Sequence, residues 1–310
     1  MNGILVIDKS PGWTSQDVVT RVRRMVKAKK AGHGGTLDPL ATGVLPVYLE
    51  EATKLVPFNL EGTKEYVGKM RLGQETDTLD ADGKIIAETP YSSLVREDVE
   101  GCLERFRGVI RQIPPLYSAI KHEGVPLYKR ARAGETPPLR ERETTIHSLL
   151  LKEFSLPFLT LEISCSRGTY IRSLCRDIGR VLGCGAHLVE LRRLRSGQFS
   201  IDQALDLARL SRLVEEERIA ERIIPLSNGV DMAARFWLEN KIAARVRQGR
   251  PLHLQDLSPN DFGCLKKGQR VGLLHGPGHL LAIAESQVDG EFGLPNNPTI
   301  LRILRVFNGG

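Results

Sequence analysis

LTLEISCSRGTYIRSLCRDIGRVLG, residues 159–183, reads as a strand, LTLEISC, that turns at Ser166–Gly168 into a helix. Further strands flank it in the sequence. GILVIDK (3–9) is a short apolar run closed by Ser10-Pro11-Gly12, and VLPVYL (44–49) and KEYVGKMRLG (64–73) follow, the last alternating its side chains between two faces. REDVEGCLERFRG (96–108) has the period of an amphipathic helix. Val18, Val22, Met25 and Val26 recur at helical spacing behind a cap at Ser15 or Asp17. There is neither a regular strand–helix repeat nor a nucleotide-binding glycine fingerprint, so an α+β fold with a largely antiparallel sheet is expected over a doubly wound one.

The chain has 310 residues, 41% of them hydrophobic, enough for one large domain or two. A net charge of +7 brings polyanions into the set of partners. Cys102, Cys165, Cys175, Cys184 and Cys264 are scattered, with no CxxC pair and no cysteine–histidine ligand spacing, and are expected to be reduced, mostly buried thiols. MNGILVIDKSPG lacks the features of a secretory signal, and no apolar run approaches the ~18 residues of a membrane span. These features point to a soluble, cytoplasmic protein.

Three regions have a texture of their own. The helix at 18–30 carries Arg21, Arg23, Arg24, Lys27, Lys29 and Lys30 with no acid between Val18 and Leu37, a face suited to phosphate or simply to solvent. Residues 113–142 place a short helix between prolines, with Lys121, Lys129, Arg130, Arg132, Arg140 and Arg142 against three glutamates, and read as a long surface loop or as an insertion that closes over an anion. An Arg/Glu-rich helical stretch (203–222) leads to a boundary near 228. Beyond it RVGLLH, HLLAIAES and LRILRVF suggest a small all-β module.

In AGHGGTLDPLATGVLPV (31–47), Gly34-Gly35 frees the backbone and Pro39 keeps Asp38 out of the helical region. The carboxylate therefore sits on a shaped loop, as a reactive group or as a turn cap. His33 has no further ligand at metal spacing, and the loop lacks the order of a phosphate-binding one. Arg172 opposes the dipole of its own helix, a cost that an anionic partner offsets. Arg176 and Arg180 continue its stripe and leave a solvated basic face as the competing reading. Tyr66 and Tyr170 read as core residues on type alone.

Taken in order, GHGGTLDPLATGVLPV, RLGQETDTLDADG, IPPLYSAIKHEG, CSRGTYIRSLCRDIG and LRRLRSGQF resemble the successive motifs of the TruB-type tRNA pseudouridine-55 synthases over most of residues 3–200. The stretch from GRPLHL to LRILRVF is more loosely similar to their small PUA-type RNA-binding domain. The resemblance implies a pseudouridine synthase fold, with a mainly antiparallel mixed central sheet and flanking helices over residues 1–228, and a β-rich PUA-like domain over 229–310. It implies Asp38 as the catalytic aspartate, Tyr66 as the tyrosine that stacks on the target base and takes part in proton removal at C5, and Arg172 as the partner of the catalytic carboxylate. His33 matches the histidine that holds the T loop once the base has left its stack. Lys9, Asp80, Tyr170 and Leu191 match pocket positions, although SPG follows Lys9 in place of the more usual proline turn.

The family isomerises a T-loop uridine of tRNA with neither cofactor nor metal. The implied partner is the tRNA T stem-loop, and the implied state is a cytoplasmic monomer with no obligate protein partner. Uracil leaves and returns on one face of the sugar, a net retention, and its carbonyls stabilise it as a leaving group, so one carboxylate suffices where a retaining glycosidase needs two. The rival readings are a non-catalytic tRNA-binding protein or folding chaperone, a relative working only within a guide-RNA complex, and, more distantly, a metal hydrolase using His33 and Asp38. The presence of Asp38 counts against the first, and the segment 113–142 against the second.

Overall fold

The computed structural model describes residues 1–118, 120–135, 137–257, 265–289 and 298–308. The expectation for Cys264 lies outside them, and the other four cysteines are buried free thiols. A large sheet runs in the order Gly3–Lys9, Thr42–Leu49, Ala186–Ser196, Lys64–Leu72, Phe158–Cys165, Arg142–Ser155, Gly108–Gln112, with Ala31–His33 and Phe199–Ser200 paired at its side. Its pairings are antiparallel except one, in which Arg192 and Arg193 run parallel to Thr42 and Gly43. The sheet is thus mainly antiparallel and mixed, as expected.

The burial of each strand follows its side chains. Lys64–Leu72 alternates buried and half-buried residues at every position, the period-2 signature of a strand between two unlike environments. Gly3–Lys9 is apolar from Gly3 to Ile7 because both of its faces are covered there. Leu5 and Ile7 join Val18, Val22, Leu174 and Ile178 of the helices Ser15–Met25 and Ile171–Val181. Ile4 and Val6 face the other way, with Tyr48, Leu55 and Phe199, against Met232, Leu274, Leu280, Ile283 and Phe307.

Those last residues belong to a second sheet, ordered Ala234–Trp237, Arg270–His275, His279–Ser286, Thr299–Val306, Leu252–His253, and to its flanks. It has a core of its own around Val246, Val271, Leu273 and Leu301. This part is not all-β, because Asn240–Arg247 is a helix whose buried Ala243 and Val246 pack into that core.

Several boundaries differ from the sequence reading. The first helix is capped by Thr14: its hydroxyl accepts from the Asp17 N–H at 3.1 Å while the Asp17 carboxylate accepts from the Thr14 N–H at 3.1 Å. The helix from Arg96 stops at Glu104, and the chain then enters an edge strand, Gly108–Gln112. The 203–222 stretch contains the helix Leu207–Glu215 between two short 3-10 turns. Within 113–142 the short helix is Leu127–Arg132, beside the two-residue strands Lys121–His122 and Val125–Pro126.

The one parallel register constrains Gly43. Its φ is +97°, and a Cβ there would lie 2.2 Å from the Arg193 carbonyl oxygen. Gly43→Ala is expected to destabilise the protein by about 3 kcal/mol, from backbone strain plus overpacking against a neighbour that cannot yield. Urea unfolding checks this, and a loss below about 0.5 kcal/mol, the range of neutral surface changes, contradicts the constraint.

Candidate active site

Asp38 sits on the connection between Ala31–His33 and Thr42–Leu49, pinned from four directions. The buried Ser15 hydroxyl donates to the Leu37 carbonyl at 3.0 Å and accepts from the Leu37 N–H at 2.8 Å. The Pro39 carbonyl accepts from the Gly12 N–H at 2.9 Å and from Lys9 Nζ at 3.1 Å. Arg193 Nε donates to the Val44 carbonyl at 2.7 Å and Nη2 to that of Gly35 at 3.1 Å. Ser15 is thus used by the loop and not as the helix cap. These bonds leave the Asp38 side chain 35% exposed over a cleft of about 560 Å³.

Arg172, the second residue of Ile171–Val181, is 4% exposed and meets that carboxylate from below. Its Nε lies 2.9 Å from Asp38 Oδ2, an ion pair without the alignment of a hydrogen bond. Nη1 lies 3.2 Å from Asp80 Oδ2 and donates to the Thr78 carbonyl at 3.1 Å, and Nη2 donates to the Tyr117 carbonyl at 2.8 Å. The two carboxylates offset the placement of a cation in the first helical turn. Burial pushes the Asp80 carboxyl up, opposed by the Thr78 hydroxyl, which donates to it, and by Arg172. Of the rest of the stripe, Arg176 is buried and donates to the Ile113 carbonyl at 3.2 Å, while Arg180 is exposed to solvent.

Tyr66 and Leu191, from neighbouring strands, and Tyr170, before the helix, line the same cleft. Burial pushes both tyrosine hydroxyls up, keeping them protonated. Gln112 brackets the Tyr170 backbone, accepting from its N–H at 3.1 Å and donating to its carbonyl at 3.4 Å. Lys9, 1% exposed, lies behind the loop and also donates to the Trp13 carbonyl at 2.7 Å. Asp80 touches Arg172 from behind. His33 stands at the entry to the loop and not among the cleft-lining residues; burial pushes its imidazole down, followed by the charge of Arg193.

Two cleft residues escape the sequence reading. Lys64 is buried, donates to the Leu60 carbonyl at 2.6 Å and also to that of Gly62, and is held down at about 8 by burial and then by Arg193. Arg193 is 1% exposed. The alternation of KEYVG puts Lys64 on the face of Tyr66, a signal available in the sequence; Arg193 is one arginine among three in LRRLR, with no signal singling it out.

Known proteins resemble this chain in sequence and in fold. The family model for the TruB family pseudouridylate synthase (N terminal domain) matches residues 23–171, and that for the tRNA pseudouridylate synthase B C-terminal domain matches residues 172–231. The chain is 43% identical over 309 residues to the tRNA pseudouridine synthase B of Geobacter sulfurreducens, covering 99% of this chain and 100% of that relative. Against the tRNA pseudouridine synthase B of Pseudomonas aeruginosa it is 42% identical over 283 residues, 90% and 92% of the two chains. A chain of a solved Cbf5-Nop10-Gar1 complex superposes with a TM-score of 0.75 at 29% identity, over 99% of this chain and 85% of that one. The fold is that of a pseudouridine synthase with a PUA-like C-terminal sheet. Within that class, the chain belongs to the TruB family.

Burial, opposed by Asp38, holds the Lys9 ammonium down at about 8 from its usual 10.5. Folding therefore releases this proton: between pH 8 and 10.5 the unfolded chain binds more protons, and stability rises with pH through that window. Lys9→Met is expected to flatten the rise by about 1 kcal/mol per pH unit, read by urea unfolding from about pH 8 to 10. Parallel pH profiles for wild type and variant contradict it.

Proposed function

We propose that this protein isomerises uridine 55 in the T loop of tRNA to pseudouridine, with Asp38 as the catalytic carboxylate. The observation that carries this reading is a partly exposed aspartate, held by a buried arginine over a cleft lined by a buried tyrosine. The names of the relatives support it and favour catalysis over a purely binding or chaperone role.

The target base leaves its stack, at a cost of a few kcal/mol, and enters the cleft against Tyr66, with Tyr170 and Leu191 as the remaining walls. Asp38 then acts at the sugar, by attack on C1′ or by removal of a C2′ proton. The C1′–N1 bond breaks, the uracil turns, and C5 bonds to C1′. Net, one proton leaves C5 and one arrives at N1, with Tyr66 the group placed to take part. Arg172 orients the Asp38 carboxylate while engaging Asp80, and Lys9 fixes the loop through the Pro39 carbonyl. His33 holds the vacated T loop.

The exposed cations of the helix Ser15–Met25 and of 113–142 supply contacts to RNA phosphates. Residues 1–228 form the catalytic body and 229–310 the RNA-binding part. The enzyme works as a cytoplasmic monomer without cofactor, metal or obligate protein partner.

Tritium release from tRNA transcripts labelled at uracil C5 tests the reading. Wild type should release label stoichiometrically with chelator present; no release from bound, folded tRNA contradicts the isomerase. Asp38→Asn should bind tRNA within about threefold of wild type and release none, because it removes a reacting group and no phosphate contact. Equal loss of binding and turnover would count against that role. Arg172→Lys should lower turnover by about 10²-fold, since a point charge cannot serve both carboxylates as the guanidinium does; near-normal turnover removes Arg172 from the machinery.

A further inference from the structure

Buried in and behind the cleft are more cations than carboxylates. Lys9, Lys64, Arg172 and Arg193 are each at most 6% exposed. Arg172 already engages both Asp38 and Asp80. Lys9 and Lys64 are held by backbone carbonyls.

Arg193 is the extreme case. Among the described residues it forms no ion pair, although it is 1% exposed and its charge reaches Lys9, Lys64 and Tyr66. Two of its five N–H donors go to the Gly35 and Val44 carbonyls, and it stands directly opposite Tyr66 in the cross-strand register, both lining the cleft, with its charge acting on the Tyr66 hydroxyl. A guanidinium held out of water with no ion-pair partner among the described residues is destabilising. Pinning a loop does not require that cost, because neutral donors can bind the same carbonyls. The arrangement fits a site whose anion arrives with the substrate.

We propose that Arg193, acting across the Tyr66 hydroxyl, is a positioning residue that stabilises the negative charge developing on the uracil as it leaves the sugar. The inference rests on the isomerase reading above. When the C1′–N1 bond breaks, its electron pair stays on the base, spread over N1 and the carbonyl oxygens. When C5 bonds to C1′, an electron pair of the base forms the new bond, and the proton balance moves from C5 to N1. The base is therefore anionic only between the two bonds. A fixed cation acting on that interval lowers the barrier without tightening ground-state binding.

The test compares single-turnover loss of the target nucleoside in T stem-loops carrying uridine or 5-fluorouridine, with wild type, Arg193→Met and Arg193→Lys. Fluorine withdraws electrons and stabilises the departing anion, so that substrate needs the cation less. Arg193→Met should slow uridine cleavage roughly 10²–10³-fold, the usual loss for one donor to a developing anion. It should slow 5-fluorouridine cleavage at least tenfold less and leave stem-loop affinity within about threefold, with Arg193→Lys in between. A purely structural role slows both substrates equally, and that result overturns the inference.

A second measurement needs no change at Arg193. A 5-fluorouridine stem-loop held by Asp38→Asn, followed by fluorine NMR, should ionise at N3 at a lower pH than when free. Burial without a nearby cation raises that ionisation, so an unchanged or higher value overturns the inference even if the Arg193 variants do not fold. A wild type that converts no uridine overturns the isomerase reading itself. An active wild type whose Arg193→Met variant slows both substrates equally overturns this inference alone.

Discussion

A guanidinium buried in the first turn of a helix stays charged at a cost that anions offset, and that balance organises the centre of this protein. Arg172 draws Asp38 from one loop and Asp80 from another, and its remaining donors capture the carbonyls of Thr78 and Tyr117. Separate stretches of chain are thereby referred to one side chain. Removing a partner from such a cluster leaves a buried charge uncompensated, a loss of about 3–5 kcal/mol. The same contacts leave Asp38 with one side toward Arg172 and the other toward the open cleft.

The sheet supplies the rest of the frame. Tyr66, Leu191 and Arg193 come from adjacent strands, so cross-strand register sets their spacing. The loop bearing Asp38 is fastened to the same strands through Arg193 and to the first helix through Ser15. On the proposed reading, a base entering the cleft meets groups whose positions are fixed before it arrives, which is where electrostatic catalysis gains its advantage.

Much of this is legible in the amino-acid order. The apolar run at 3–9 and the alternation at 64–72 are strands because burial on two faces or on one leaves different periodicities. Arg172 does find its anions, because first-turn electrostatics are local. Thr14 is harder to single out, since Thr14, Ser15 and Asp17 are all competent caps, and the long-range demand of the Leu37 backbone for Ser15 decides among them. Arg193 is hidden for a related reason. In LRRLRS, Arg192 pairs with Asp8 and Arg195 with Glu65 near the surface, and a register shift between Arg193 and Arg195 breaks simple alternation. Only the assembled sheet distinguishes the inward arginine. The helix Asn240–Arg247 is masked by the turn-rich composition around it.

The double-faced burial of Gly3–Lys9 bears on how the molecule comes into being. Its Ile4 and Val6 belong to a cluster with Tyr48, Leu55 and Phe199 that is completed only by residues between Leu226 and Phe307, more than two hundred positions away. At about 5–20 residues per second of synthesis, that cluster waits some tens of seconds for its completion. During translation the nascent large sheet therefore carries an apolar surface that a chaperone, the ribosome or another strand can occupy. The second sheet is in this sense also the element that ends the period of greatest aggregation risk, so changes within its inner face should appear first as lost yield of folded protein.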